Sequence, residues 1–202
     1  MGIIIDDKLT WKNHCQKILT LISRNLGILR KLRYYVPSRI LCSIYNTLSL
    51  PHLQYGILAW GNTHKTYLDK LLVIQKKSLR LINGSSFMDH SGPLFVKFNT
   101  LSVYDIYKYQ LCALMYNFEK NTLPLNIKSF FVRNTDIHNY DTRSSNKLHL
   151  NKVRTSLHLS TVRHQGPLLW NKIRSSCPMT SIRACKAYYK KLLLTAINVN
   201  GE

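Results

Sequence analysis

The chain has 202 residues, 45% of them hydrophobic, and carries 29 Lys and Arg against 9 Asp and Glu, a formal charge of +20. That length and apolar content suit one domain, or one and a part, and exclude global disorder; no run of about 18 apolar residues is present to make a transmembrane helix. A positive surplus of this size repels itself unless a polyanion is its usual neighbour, so nucleic acid is the leading partner class, through phosphate neutralisation and counterion release.

In chain order, Gly2 to Asp6 is hydrophobic and β-branched and predicts a short strand. The apolar run is too short, and acids follow too soon, for a signal peptide. Asp6 stands where a myristoylation signal wants Ser or Thr. The expected location is nuclear or cytoplasmic, with no membrane contact. Thr10 is predicted to cap a long amphipathic helix to about Tyr34, with Trp11, Cys15, Ile18, Ile22, Leu26, Leu29 and Leu32 at helical spacing. Lys17, Arg24 and Lys31 recur every seven residues on the opposite stripe, spanning about 21 Å. No acid occurs between Lys8 and Tyr67 to lace these cations into salt bridges.

Pro37 opens a second helix, which Pro51 ends. His52 to Trp60 is apolar and aromatic, and Gly61-Asn62 closes it. A helix is predicted from about Thr66 to Asn83, with Lys70, Lys77 and Arg80 off its apolar stripe. After a Ser/Gly-rich loop, Pro93 to Asn99 reads as a turn or two of helix. Ser102 then caps a helix to about Asn121 that is apolar round most of its circumference, as a central helix would be. Pro124 marks a soft boundary. Beyond it, Lys147–Leu150 and Ser156–Leu159 alternate like short strands, a helix is predicted to begin at Gly166-Pro167, and a last one runs from Ser181 to Ala196.

Candidate chemistry is sparse. The five cysteines at 15, 42, 112, 177 and 185 are odd in number and lack any CxxC, which predicts buried, reduced thiols and neither a disulfide framework nor a zinc site. Asp6-Asp7 invites comparison with two-metal polymerase carboxylates. Neighbouring strand residues point to opposite faces, however, and no third acid lies within the next sixty residues. No GxSxG elbow or GxxxxGK[ST] loop occurs. No catalytic residue and no metal ligand is assigned. Aromatic and basic residues interleave at Arg33-Tyr34-Tyr35, Tyr107-Lys108-Tyr109 and Tyr188-Tyr189-Lys190-Lys191, a pattern shared by base-stacking platforms and by ordinary core tyrosines.

Six tracts in order carry a resemblance: Gly2 to Trp11, Leu29 to Pro37, Tyr55 to Gly61, Ile74 to Ile82, Asn139 to Ser145 and Gly166 to Asn171. Together they resemble the C-terminal part of the reverse transcriptase of non-LTR retrotransposons of the Jockey and CR1 type. The resemblance implies that residues 1–9 close a polymerase palm, that residues 10–124 are a thumb-like helical bundle, and that residues 125–202 are a C-terminal extension. It places the family's aromatic-Ala-Asp-Asp motif, and the Mg²⁺ ions it holds, upstream of Met1, with the fingers and most of the palm. No cofactor is then expected in this chain, and by itself it should be inactive.

The expected fold is mainly α, a helical bundle with a short N-terminal edge strand and a looser C-terminal helical subdomain. The expected role is template–primer binding, on RNA and DNA, in an RNA-directed DNA polymerase. Helical phase nominates Lys17, Arg24, Lys31 and Arg33 of the first helix and Lys70, Lys77 and Arg80 of the later one as phosphate contacts. The rival reading is a non-catalytic helical interaction module, a domesticated or decaying element relic.

Overall fold

A computed structural model describes residues 2–137 and 144–199. The Asn139–Arg143 part of the polar tract lies outside them. The chain is mainly α-helical, in the order α1 (Lys12–Leu32), α2 (Ser38–Leu48), α3 (Leu50–Gln54), α4 (Ile57–Trp60), α5 (Lys65–Asn83), α6 (Gly92–Lys97), α7 (Val103–Glu119), α8 (Leu125–Lys128), α9 (Ser156–Ser160), α10 (Val162–Ile173) and α11 (Ile182–Val199). None of the described helices is long and apolar enough to cross a membrane.

Contacts divide the chain into two compact units, residues 1–107 with 192–202, and residues 108–191. The division falls inside α7, ahead of Pro124, and α11 runs from the second unit into the first.

In the first unit α1 packs along α5, and α2 lies on both. Leu29, Leu41, Tyr45, Leu79, Ile82, Leu94 and Phe95 form a buried cluster from α1, α2, α5 and α6, with Ile197 of α11 against it. The apolar stripe read for α1 is the one that is buried: Cys15, Ile18, Ile22 and Leu29 are all under 4% exposed. Gln75, fully buried on α5, donates to the Leu101 carbonyl at 2.8 Å and accepts from the Val103 N–H at 3.0 Å. That one amide satisfies the backbone where α7 begins.

The predicted edge strand does not form. Gly2 to Asp6 forms no regular element and has no ladder partner among the described residues, and β-branched residues make a strand only beside another. Thr10 is not the cap of α1 either. The Asp6 carboxylate accepts from the Thr10 N–H (2.8 Å), the Thr10 hydroxyl (2.7 Å) and the Trp11 N–H (2.8 Å), and the helix starts at Lys12. His52 to Trp60 divides into α3 and α4 at Gly56, whose φ of 61° breaks the helix.

In the second unit Ser156–Leu159 is helical rather than extended, its start capped by the Thr155 hydroxyl, which accepts from the His158 N–H. The other alternating stretch supplies a single antiparallel bridge, Leu148 to Arg133. α10 begins at Val162, earlier than Gly166-Pro167, and Pro167 lies inside it. A Cβ on Gly166 would stand 2.7 Å from Met115 Sδ and 3.0 Å from a Phe131 ring carbon. Its glycine therefore permits a close approach of α10 to α7. Cys177 and Cys185 form a disulfide, with Cα atoms 5.6 Å apart, where reduced thiols were expected. The pair spans the turn between α10 and α11, an approach that chain spacing alone does not reveal.

Candidate nucleic-acid interface

α1 carries its buried stripe toward α5 and leaves its flank to solvent. Leu26, Arg30 and Arg33 recur at i, i+4 and i+7 on that flank. They face Lys77, Arg80 and Leu81 of α5, with Ser85 and Phe87 of the following loop, across a cleft of about 300 Å³. Leu26 and Leu81 supply apolar lining, and four cations surround it. No carboxylate is among these residues.

The loop is held in place by its own hydrogen bonds. Gly84, at φ 73°, closes α5, with the Ser85 N–H donating to the Arg80 carbonyl at 3.0 Å. Arg80 Nε donates to the Asp89 carbonyl at 2.8 Å, and the Asp89 carboxylate accepts from the Ser86 N–H at 2.7 Å. The Arg80 guanidinium is thereby fixed by one edge. Lys77 Nζ and Arg80 Cζ lie 6.0 and 5.9 Å from the centre of the Phe87 ring, which is itself 68% exposed. An aromatic face flanked by two cations offers stacking and charge together. Arg33 lies over Tyr34 at 5.2 Å, and Tyr34 and Tyr35 are largely exposed.

Of the seven nominated residues, Arg33, Lys77 and Arg80 line this cleft. Lys17, Arg24 and Lys31 are exposed on the side of α1 opposite its buried stripe and do not line it. Lys70 is exposed on α5, also outside the lining. Arg30 lines the cleft and was missed. The heptad recurrence of Lys17, Arg24 and Lys31 follows a different phase of α1 from the i+4 step that joins Leu26 to Arg30.

Two acidic groups outside the cleft are held by structural partners, Asp6 and Glu119. The hydroxyl of Thr10 and two backbone N–H groups hold the Asp6 carboxyl below the usual carboxylate range. With both its oxygens accepting hydrogen bonds, Asp6 staples the loop that leads into α1. Glu119 accepts from Arg133 at 2.9 Å and Arg174 at 2.8 Å, and Trp170 Nε1 reaches its other oxygen at 3.4 Å. Burial alone would raise the Glu119 carboxyl; the hydrogen bond and charge of Arg133, with Arg174 and Trp170, hold it below its ordinary value. A second cleft, about 450 Å³ between Phe118, Leu125, Lys128, Phe131 and Asp136, is of mixed charge, and its Arg133 is committed to Glu119. Among the described residues, one group has the right donors and spacing for a metal ion: Cys112, Cys177 and Cys185.

Comparison with known proteins adds one relationship. Over 89 residues, 42% of its length, the chain is 30% identical to the RNA-directed DNA polymerase from the mobile element jockey of Drosophila melanogaster. It spans 10% of that protein's length. No family model matches the chain. No solved structure matches it.

Proposed function

We infer that this chain is a nucleic-acid-gripping portion of a retrotransposon-type RNA-directed DNA polymerase, holding the phosphate backbone of a template–primer duplex without supplying catalytic carboxylates. The observation that carries the reading is the cleft of Arg30, Arg33, Lys77 and Arg80, which has no acid in its lining, on a chain of net charge +20. Four unneutralised cations around one concavity repel each other, and a phosphate entering it relieves that repulsion and releases condensed counterions. The similarity to the jockey polymerase supports the same class of partner. On this reading Lys17, Arg24, Lys31 and Lys70 are outlying backbone contacts along the same helices. The Mg²⁺-dependent chemistry belongs to parts of a larger polymerase.

The test is a salt titration of full-chain binding to a labelled RNA–DNA duplex. Each phosphate contact contributes about −0.9 to the log–log slope on duplex DNA. A slope of several units is expected, and Arg30→Glu and Lys77→Glu should each reduce it by about one. A flat titration, or a slope untouched by both reversals, would overturn the reading in favour of a helical interaction module. With Mg²⁺, primer–template and nucleotides, the chain by itself should extend no primer.

A further inference from the structure

The second unit contains a feature that nucleic-acid binding does not use. Cys112 comes from the middle of α7, Cys177 from the turn after α10, and Cys185 from the first turn of α11. These three separate segments bring their sulfurs within 4.8 Å of one another. Cys112 and Cys185 are fully buried, Cys177 is 6% exposed, and Cys112 Sγ lies 3.8 Å from Cys185 Sγ. Buried cysteines also serve as small apolar side chains, as Cys15 does on the inner face of α1. The disulfide accounts for the meeting of Cys177 and Cys185, but packing alone gives no reason for the Cys112 sulfur to stand against them.

We propose that Cys112, Cys177 and Cys185, in the reduced chain, form an all-sulfur site for one thiophilic d¹⁰ cation, the chemistry shared by Cu(I) and Zn(II). Metal–sulfur bonds of about 2.3 Å in a planar MS₃ unit put the sulfurs about 4.0 Å apart; Cys112 and Cys185 already stand 3.8 Å apart, and reduction frees Cys177 from Cys185 to take the same spacing. Thiolate ligands select these soft ions over Mg²⁺ or Ca²⁺. No His, Asp or Glu joins the group among the described residues. A closed Zn²⁺ site uses four ligands, so a three-sulfur set favours the ion content with fewer, Cu(I). Lys186, which follows Cys185 in α11 and has its Nζ 5.7 Å from the centre of the Tyr109 ring, provides a compensating positive charge.

The Cys177–Cys185 disulfide is the form that excludes the ion. A dithiol reductant opens it: two electrons and two protons pass to the chain, giving two thiols, while the reductant becomes a disulfide. Ion binding then displaces the thiol protons and leaves three metal–sulfur bonds.

The experiment uses the full chain, reduced with a phosphine under anaerobic conditions, and desalted after addition of Cu(I) in one arm and Zn(II) in the other. One ion per chain is expected to be retained, more firmly in the Cu(I) arm. Cys112→Ser, Cys177→Ser and Cys185→Ser should each abolish stoichiometric retention, and Cys42→Ser should not. The wild-type chain provides a second readout that needs no folded variant: the ion should raise the Tm of the reduced chain and leave the disulfide form unchanged. Retention in neither arm, or full retention by Cys112→Ser, would overturn the site. Because no nucleic acid is present, this outcome is independent of the duplex titration.

Discussion

Asn171 grips Leu148 at both ends of the residue's backbone: its Nδ2 donates to the Leu148 carbonyl and its Oδ1 accepts the Leu148 N–H, each at 2.9 Å. One side chain of α10 thus does, on the edge of the segment away from Arg133, what a neighbouring strand would do in a sheet. Asn171→Ala removes both bonds and leaves a partly buried N–H and carbonyl unpaired. A loss of about 2 kcal/mol is expected by chemical denaturation. Asn171→Asp keeps the acceptor and loses the donor, so its cost should lie between wild type and alanine. Equal stability of all three would show that water replaces the clasp.

Glu119 is the anchor of the second unit. It collects Arg133, Arg174 and Trp170 on one carboxylate that is itself only 12% exposed. Glu119→Gln keeps the shape and discards the charge, leaving two guanidinium groups facing a neutral amide. About 1–3 kcal/mol should be lost. The native carboxyl binds its proton less readily than the unfolded one, so its contribution is present above the ordinary carboxyl value of 4.5 and fades as pH falls through the lower native value. The variant's unfolding curve should lack that part of the acid dependence.

His14 sets a separate pH window. It packs edge-on to Trp11 and Trp60 in the first unit, and its Nδ1 accepts the Ile4 N–H at 3.4 Å. Nε2 therefore carries the ring proton and is buried without a partner. Burial first, and then the charge of Lys17, hold the ring below its ordinary value of 6.5. The unfolded chain takes up the second proton more readily, so stability is full above pH 6.5 and falls as pH drops through the native value. His14→Gln should flatten the stability profile just below pH 6.5 while leaving the decline at carboxylate pH intact. An unchanged profile would assign that loss to another group.

Phe87 separates two ways of using the basic cleft. If bases stack on the ring, Phe87→Ala should weaken binding of a single-stranded oligonucleotide by about 5- to 100-fold. If the four cations carry duplex affinity, it should change little. Equal weakening of both in an anisotropy titration would mean that the ring only positions Lys77 and Arg80.

Much of the helical plan was legible. α1, α5 and α7 show apolar periodicity over four turns or more; on α1 the buried Cys15, Ile18, Ile22 and Leu29 belong to that pattern, whereas the buried His14 does not. The glycines and tryptophans of the resembling tracts acquire physical reasons only in three dimensions. Gly61 leaves no room for a Cβ between Ile57 and Tyr107, and Trp60 Nε1 donates to the Tyr55 carbonyl at 3.0 Å. The errors cluster where chain is short or irregular: residues 2–6, Ser156–Leu159 and the start of α10. There a few residues of alternation fit strand and helix alike, and tertiary partners decide between them.

By itself the sequence determined a mainly helical chain with a large unbalanced positive charge, because periodicity and composition are local or additive properties. Tertiary structure alone decided which cations share a cleft and which sulfurs meet. Arg30 and Lys77 are 47 positions apart, and Cys112 and Cys185 are 73 apart, in a chain whose local pattern contains no term for either approach. Helix packing brings them together by burying apolar faces, and the polar and reactive groups on the flanks follow wherever those faces settle.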